Sequence, residues 1–256
     1  MSVADNSALL SVRNIQRSFR GLRVLKDVQF DIAPHSFAGL IGPNGAGKST
    51  LFNIISGFLK PTSGSMTFDG TDISPCSVQE RSRRGLVRTF QTPQIFGGMT
   101  VLENLMVGLH KNSRSGITGN LFLSRRSRRE YREAYQAATS ALDRFGLAHV
   151  GSQNAQSLPG GLQRMLELAR AYLGKPRLLM LDEPSSGLNN DEIGQLTQAL
   201  HQLNAEGITI LLVSHDMELV RAASIIHVLC FGEIIATGPL AAIQQNARVR
   251  EAYLGA

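Results

Sequence analysis

The run Gly42-Pro43-Asn44-Gly45-Ala46-Gly47-Lys48-Ser49 constrains this chain more than any other feature. It fits the pattern GxxxxGK[ST] and stands in the context that pattern needs. An apolar strand-like run, Phe37 to Ile41, precedes it. A helix-like segment, Lys48 to Ile55, follows and is closed by Ser56-Gly57. The glycines let backbone N–H groups converge on phosphate oxygens, and the helix N-terminus adds its partial positive charge. Lys48 can reach the outer phosphates of a nucleotide, and the Ser49 hydroxyl can ligate Mg²⁺. Gly42, Pro43, Asn44, Gly45, Ala46, Gly47, Lys48, Ser49 and Thr50 are therefore the candidate nucleotide-binding segment. The plainer reading, a glycine-rich turn that only caps a helix, leaves the Lys-Ser pair and both flanks unexplained.

Two further buried strands end in chemistry. Leu178 to Leu181 is continuously apolar, as in a parallel sheet covered on both faces, and it delivers Asp182 and Glu183. A carboxylate at a strand's carboxyl end can hold Mg²⁺, often through water. Its neighbour can polarise an attacking water. Asp182 is thus the candidate metal ligand and Glu183 the candidate general base. Many buried strands end in Asp, so this signal gains weight only beside the phosphate loop, since ligands bind at the carboxyl edge of such sheets. Ile208 to Val213 repeats the design and delivers His215, whose imidazole can donate to a phosphate oxygen; the plainer reading is packing or capping. The other five histidines show no ligand spacing and read as structural or surface residues.

Periodicity places these motifs in an α/β chain. Leu9 to Ile15, Val24 to Ile32, Ser65 to Phe68 and Leu86 to Phe90 read as strands, and Ser77 to Arg84 as a short helix. Between Gln91 and about Arg170 the character changes. Thr100 to His110 is helical, Lys111 to Ser124 is a polar connection, and Tyr131, Tyr135, Ala138, Leu142 and Phe145 recur at helical spacing as one apolar face. Asp191 to Ala205 is a helix, and Ile225 to Phe231 forms a hairpin with Glu233 to Ala236 around Gly232. Pro239 to Gln245 and Ala247 to Leu254 are short terminal helices. The expected organisation is a nucleotide-binding domain over 8–238, with a helical insertion at about 92–170, and a helical tail over 239–256.

Length and composition narrow the classes further. A chain of 256 residues can bury a large core. Its apolar runs are strand-sized, far below the roughly 18 residues a membrane-spanning helix needs. The first residues lack the basic flank of a signal peptide, and Cys76 and Cys230, far apart and outside any CxxC, read as inert thiols of a cytosolic protein. The net charge of +6 permits nucleic acid, anionic lipid or nucleotide phosphate without selecting among them. The basic run Arg125-Arg126-Ser127-Arg128-Arg129, with Arg132, reads either as a solvated helix start or as a contact for anionic headgroups. Arg81, Arg83, Arg84 and Arg88 are candidates to extend it.

The order of phosphate loop, Gln91, glycine-rich segment, Asp182-Glu183 and His215 resembles the nucleotide-binding domain of ATP-binding cassette (ABC) transporters over essentially the whole chain. The resemblance implies a P-loop NTPase core with a parallel sheet, an antiparallel β subdomain and an inserted α-helical subdomain. It implies that Phe19 stacks on adenine and that Gln91, in Thr89-Phe90-Gln91, is a Mg²⁺ ligand with a catalytic, partner-sensing role. Leu158-Pro159-Gly160-Gly161-Leu162 stands at the family's LSGGQ signature, and Ser186-Gly187-Leu188-Asn189 at the loop that crosses the dimer interface. Pro159, Gly160 and Gly161 are thereby implied to contact the nucleotide of an opposing subunit, with Pro159 and Leu162 departing from the pattern.

Arg88-Thr89-Phe90-Gln91, Met99 to Leu105, His215-Asp216-Met217 and the ending Ala252-Tyr253-Leu254-Gly255 are similar to the branched-chain amino acid importer branch. The implied ligands are ATP and Mg²⁺. The implied partners are a second ATPase subunit, different or identical, two integral membrane permease subunits and, indirectly, a periplasmic or extracellular substrate-binding protein, with no nucleic acid. The implied place is the cytoplasmic face of the cell membrane. Urea or amide importers and lipopolysaccharide exporters share this layout. Soluble ABC proteins usually carry two cassettes or long coiled coils, which this chain lacks. A kinase or GTPase would leave His215 and the signature segment unaccounted for.

Overall fold

The computed structural model describes residues 8–109 and 125–254. Two sheets organise the described residues. The first is antiparallel, in the order β2-β1-β4-β5, built from β1 (Leu10–Phe19), β2 (Leu22–Ile32), β4 (Ser63–Phe68) and β5 (Thr71–Asp72). β1 and β2 join through Arg20 and Gly21, both at positive φ, 46° and 90°, which is the two-residue hairpin geometry that matches strand twist.

The second sheet holds β3 (Phe37–Ile41), β6 (Leu86–Arg88), β7 (Leu178–Asp182), β8 (Thr209–Val213), β9 (Ile225–Cys230) and β10 (Glu233–Gly238). Its order is β10-β9-β3-β8-β7-β6, parallel except for β10. Every residue of β7 and β8 is buried, the pattern of strands covered on both faces. Alternate residues serve different cores. Leu179 and Leu181 join one with Leu142, Phe145, Leu166 and Leu200, while Leu178 and Met180 join another with Phe52, Ile55, Met66 and Phe68.

The helices follow their caps. α1 (Lys48–Ser56) ends on Gly57 at φ 87°. α2 (Val78–Arg83) starts with a capping box of Ser77 and Glu80. α3 (Val101–Leu109) is opened by the reciprocal bonds of Thr100 and Glu103. Then come α4 (Arg125–Arg144), α5 (Gly160–Leu173), α6 (Asn190–Ala205), α7 (Met217–Ala222), α8 (Leu240–Gln245) and α9 (Ala247–Leu254). α6 carries a second capping box, Asn189 with Glu192. The antiparallel sheet and the helical insertion expected from the sequence are both present.

The differences are local. The expected strand to Phe90 stops at Arg88. The apolar face expected from Tyr131 to Phe145 is only half a core face. Ala138, Leu142 and Phe145 are buried, but Tyr131 is 63% exposed and Tyr135 45%, because the first half of α4 extends beyond the elements it packs on. Arg81 and Arg88 do not extend a basic surface, since both are buried among partners within the fold. The expected connection Lys111 to Ser124, like the side chains of Arg125 to Ser127, lies outside the described residues.

Candidate nucleotide site

Parallel strands end at one edge, and the loops that follow them meet there. The loop from β3 to α1, the ends of β7 and β8, and Gln91 surround one cavity of about 420 Å³. Asn44 to Thr50, Gln91, Asp182, Glu183 and His215 line it, with Val24 and Val213. The structure thus gathers most of the residues singled out in the sequence. Phe19 is outside this lining, half-exposed at the end of β1 with Arg17 stacked on its ring at 4.5 Å. Pro159, Gly160 and Gly161 also lie outside it.

The loop's shape requires glycine at two positions. A Cβ on Gly42 would stand 1.9 Å from the Leu229 carbonyl oxygen, and one on Gly47, at φ 104°, 2.8 Å from a Leu25 methyl group. The hairpin β9-β10 and strand β2 therefore clamp the loop from outside. Within it, the Lys48 ammonium donates to the carbonyl oxygens of Gly42 (2.7 Å) and Pro43 (2.9 Å). An ammonium has three donors, so one remains for an anion. Burial pulls the Lys48 pKa down, and the carboxylates of Glu183 and Asp182 oppose that.

Asp182 ends β7 with its carboxylate held by Arg88, which in sequence alone reads as part of a basic surface. Arg88 Nη2 donates to Asp182 Oδ2 at 2.8 Å, and Arg88 Nη1 donates to Asn53 and Ser56 of α1. The guanidinium lies over the rings of Phe52, Phe58 and Phe90. The parallel pairing of Arg88 with Met180 places Arg88 beside the carboxyl end of β7. That pairing is invisible in a sequence whose two strands are separated by the whole insertion.

Glu183 takes φ 46°, outside the regions that L-residues prefer, while its N–H donates to the Val213 carbonyl. Such conformations cost on the order of 1–3 kcal/mol and gather at functional sites. His215 Nε2 lies 3.0 Å from Glu183 Oε1, and the His215 main-chain N–H donates to Oε2. Burial pushes the Glu183 carboxyl up from the usual range, against the pull of His215 and Lys48.

Gln91 is exposed into the cavity, and its backbone is held from below. On α5, Arg164 Nη1 donates to the Phe90 carbonyl (2.7 Å), and Nη2 donates to that of Gln91. Glu167 Oε1 accepts from the N–H groups of Phe90 and Gln94. Arg164 and Glu167 also pair with each other at 2.7 Å and are nearly fully buried. Their i,i+3 spacing is legible in sequence; their burial under the 90–94 segment is not. The helix that starts at Pro159 is thereby tied to the main chain around Gln91. Pro159 occupies the N-cap without a side-chain cap bond, with Gly160 exposed and Gly161 buried behind it.

The donor set fits a divalent cation shared with phosphate. The Ser49 hydroxyl, Gln91 carboxamide and Asp182 carboxylate line one cavity and offer hard oxygen ligands. Among the described residues no cluster of three His, Cys, Asp or Glu side chains could bind a metal alone.

The chain is similar to known proteins over nearly its whole length. The ABC transporter family model matches residues 25–186, and the branched-chain amino acid ATP-binding cassette transporter model matches 233–256. The high-affinity branched-chain amino acid transport ATP-binding protein LivG of Escherichia coli (strain K12) is 40% identical over 249 residues, 96% of this chain and 98% of LivG. BraF of Pseudomonas aeruginosa, with the same description, is 38% identical over 249 residues, with the same shares covered. A nucleotide-free ATP-binding cassette from an ABC transporter superposes with a TM-score of 0.83 at 31% identity, covering 97% of this chain and 100% of its own. The ADP conformation of an ABC transporter cassette matches with the same score and identity, covering 97% and 99%.

Proposed function

This chain belongs to the ABC transporter family, and from that premise we propose that it is the ATP-hydrolysing subunit of an importer for branched-chain amino acids. Members of the family hydrolyse ATP to power transport. The observation that carries the finer reading is the match of its last segment, 233–256, to the branched-chain amino acid cassette family, together with full-length similarity to LivG.

The residues divide the chemistry as follows. Asn44 to Thr50 cradle the phosphates with main-chain N–H groups, and Lys48 offers its free N–H to the outer phosphates. Ser49, Asp182 and Gln91 would hold Mg²⁺, which when bound would supply charge neutralisation at the phosphate oxygens. Glu183 accepts a proton from the attacking water, and His215 keeps its carboxylate oriented. Phe19 stacks on the base. Pro159, Gly160 and Gly161 face the nucleotide of a second ATPase subunit, so two subunits enclose two ATP molecules. Closure on ATP and reopening after hydrolysis would switch two membrane permease subunits between outward and inward access, fed by a substrate-binding protein.

The permease would dock at a groove of about 300 Å³ that includes Phe90, Gln94, Phe96, Val107 and Arg170. Phe96 is exposed in that groove and Met99 is exposed nearby in sequence, while Val101 and Leu105 of the same stretch belong to the core. No helix among the described residues is long and apolar enough to cross a membrane, consistent with peripheral attachment. The test is uptake by vesicles holding the chain with its partner subunits. ATP-driven entry of leucine, isoleucine or valine is expected; ATP-driven entry of urea instead would overturn the substrate assignment. Cross-linking should join Phe96 to the permease, and a contact confined to residues 252–254 would move the docking surface.

A further inference from the structure

We propose that the overhanging first half of α4 binds the surface of an anionic lipid bilayer through a stripe of two arginines and two tyrosines. Among the described residues, the buried positions of α4 lie in its second half. Leu109, at the end of α3, shares a cavity wall with Ala137, Ser140 and Ala141, while the N–H groups of Val101 and Leu102 donate to Gln153 and Gly151, just past the end of α4. The two helices therefore run in opposite directions, and α4 continues past the C-terminal end of α3. From Arg128 to Gln136 no residue is buried. At 1.5 Å per residue that is a stretch of about 13 Å.

The arm's side chains sort by face. Arg128, Tyr131, Arg132 and Tyr135 fall at i, i+3, i+4 and i+7, one line along the helix, and all four are exposed. Arg129 lies off this line and pairs with Glu133 at 2.7 Å, so that acid is answered elsewhere. The line itself holds two cations, two amphipathic rings and no carboxylate. A protein partner with ordinary surface acids could satisfy the arginines, but two exposed tyrosines on the same helix face suit a boundary where water meets hydrocarbon. Arginines suit the negative potential of anionic headgroups. The arm also leaves the body at the end of α3 whose last turn, Val107 and Gly108, lines the groove assigned above to the permease. The placement beside the permease rests on that functional reading; lipid binding by the arm does not.

The experiment is co-sedimentation of the full chain with vesicles of phosphatidylcholine alone or mixed with phosphatidylglycerol, at low and high salt. Binding is expected only with phosphatidylglycerol, and it should weaken with salt. Arg128→Glu with Arg132→Glu should lower the bound fraction by about tenfold or more. Tyr131→Ser with Tyr135→Ser should lower binding at both salt levels, since ring insertion is not screened. Both variants should keep wild-type melting temperature and ATPase in detergent. Wild-type vesicle binding by either double variant would overturn the proposal. So would charge reversal that leaves vesicle binding intact but breaks co-purification with the permease, because the stripe would then serve a protein. Vesicle binding that depends on the stripe, in a chain that hydrolyses no ATP, would support this proposal and refute the functional reading instead.

Discussion

His215 holds both oxygens of the Glu183 carboxylate, Oε1 from its ring Nε2 at 3.0 Å and Oε2 from its main-chain N–H at 3.2 Å. The two residues end neighbouring parallel strands, so the sheet's register sets their contact. A base fixed from two sides loses little orientational freedom when it takes a proton from water. Glu183→Gln should keep the fold and ATP binding but lower turnover by roughly 10²–10⁴-fold. Single-turnover hydrolysis beside a nucleotide-binding titration checks this. Wild-type turnover by Glu183→Gln would remove the residue from the base role.

The Arg88–Asp182 pair should matter to stability as well as to metal binding. Its side chains are 8% and 12% exposed. Removing one member of a buried pair leaves an uncompensated charge and costs about 3–5 kcal/mol. Arg88→Met is expected to fall in that range by urea denaturation, and Asp182→Asn to cost less, since Arg88 keeps Asn53, Ser56 and three aromatic faces. Equal urea midpoints for Arg88→Met and wild type would contradict the pair's role.

Arg164 and Glu167 should transmit force between the α5 start and Gln91. Glu167→Gln keeps the size but weakens a buried charge-assisted network, where each hydrogen bond to a charged group contributes roughly 1.5–3 kcal/mol. The expected outcome is a lower melting temperature and faster proteolysis within 90–94, with ATP binding to the isolated chain retained. Limited proteolysis mapped by mass spectrometry measures this, and unchanged cleavage at 90–94 would separate the pair from that segment.

Pro159 has neither hydroxyl nor N–H to offer a phosphate. A hydrogen bond to a charged group contributes roughly 1.5–3 kcal/mol, so this subunit should complete its partner's nucleotide site weakly. That favours a heterodimer with one strong and one weak site. Pro159→Ser with Leu162→Gln should raise turnover in the assembled complex. Unchanged turnover, with equal hydrolysis at both sites, would show that Gly160 and Gly161 suffice.

His227 gives the fold an acid-side sensitivity. Burial pulls its pKa from 6.5 to about 4; Nδ1 meets the Thr237 hydroxyl at 3.0 Å, and Nε2 is buried without a partner. The folded protein holds this ring neutral, whereas the unfolded chain protonates it below about 6.5. Its contribution to stability is thus full above pH 6.5 and is lost as pH falls toward 4, a change on the order of 3 kcal/mol. His227→Phe should flatten that part of the stability curve. Parallel slopes for wild type and variant between pH 6.5 and 4 would rule His227 out.

The sequence by itself determined the phosphate loop, the strands that end in Asp182-Glu183 and His215, and the capped helices after Ser77 and Asn189. These are local signals: glycine backbone freedom, side-chain caps and unbroken apolar runs act over a few residues, so their order along the chain carries them. Tertiary structure decided what pairing and packing decide. Arg88 reads as surface charge until β6 lies against β7 and turns it onto Asp182. Arg164 and Glu167 stand three residues apart in the sequence, and only the packing of α5 under the main chain of Phe90 and Gln91 makes them its support. Tyr131 and Tyr135 fit the same apolar period as Leu142 and Phe145, yet only the latter pair is buried. A period fixes which residues share a face; the lengths and contacts of the neighbouring elements fix how much of that face is covered.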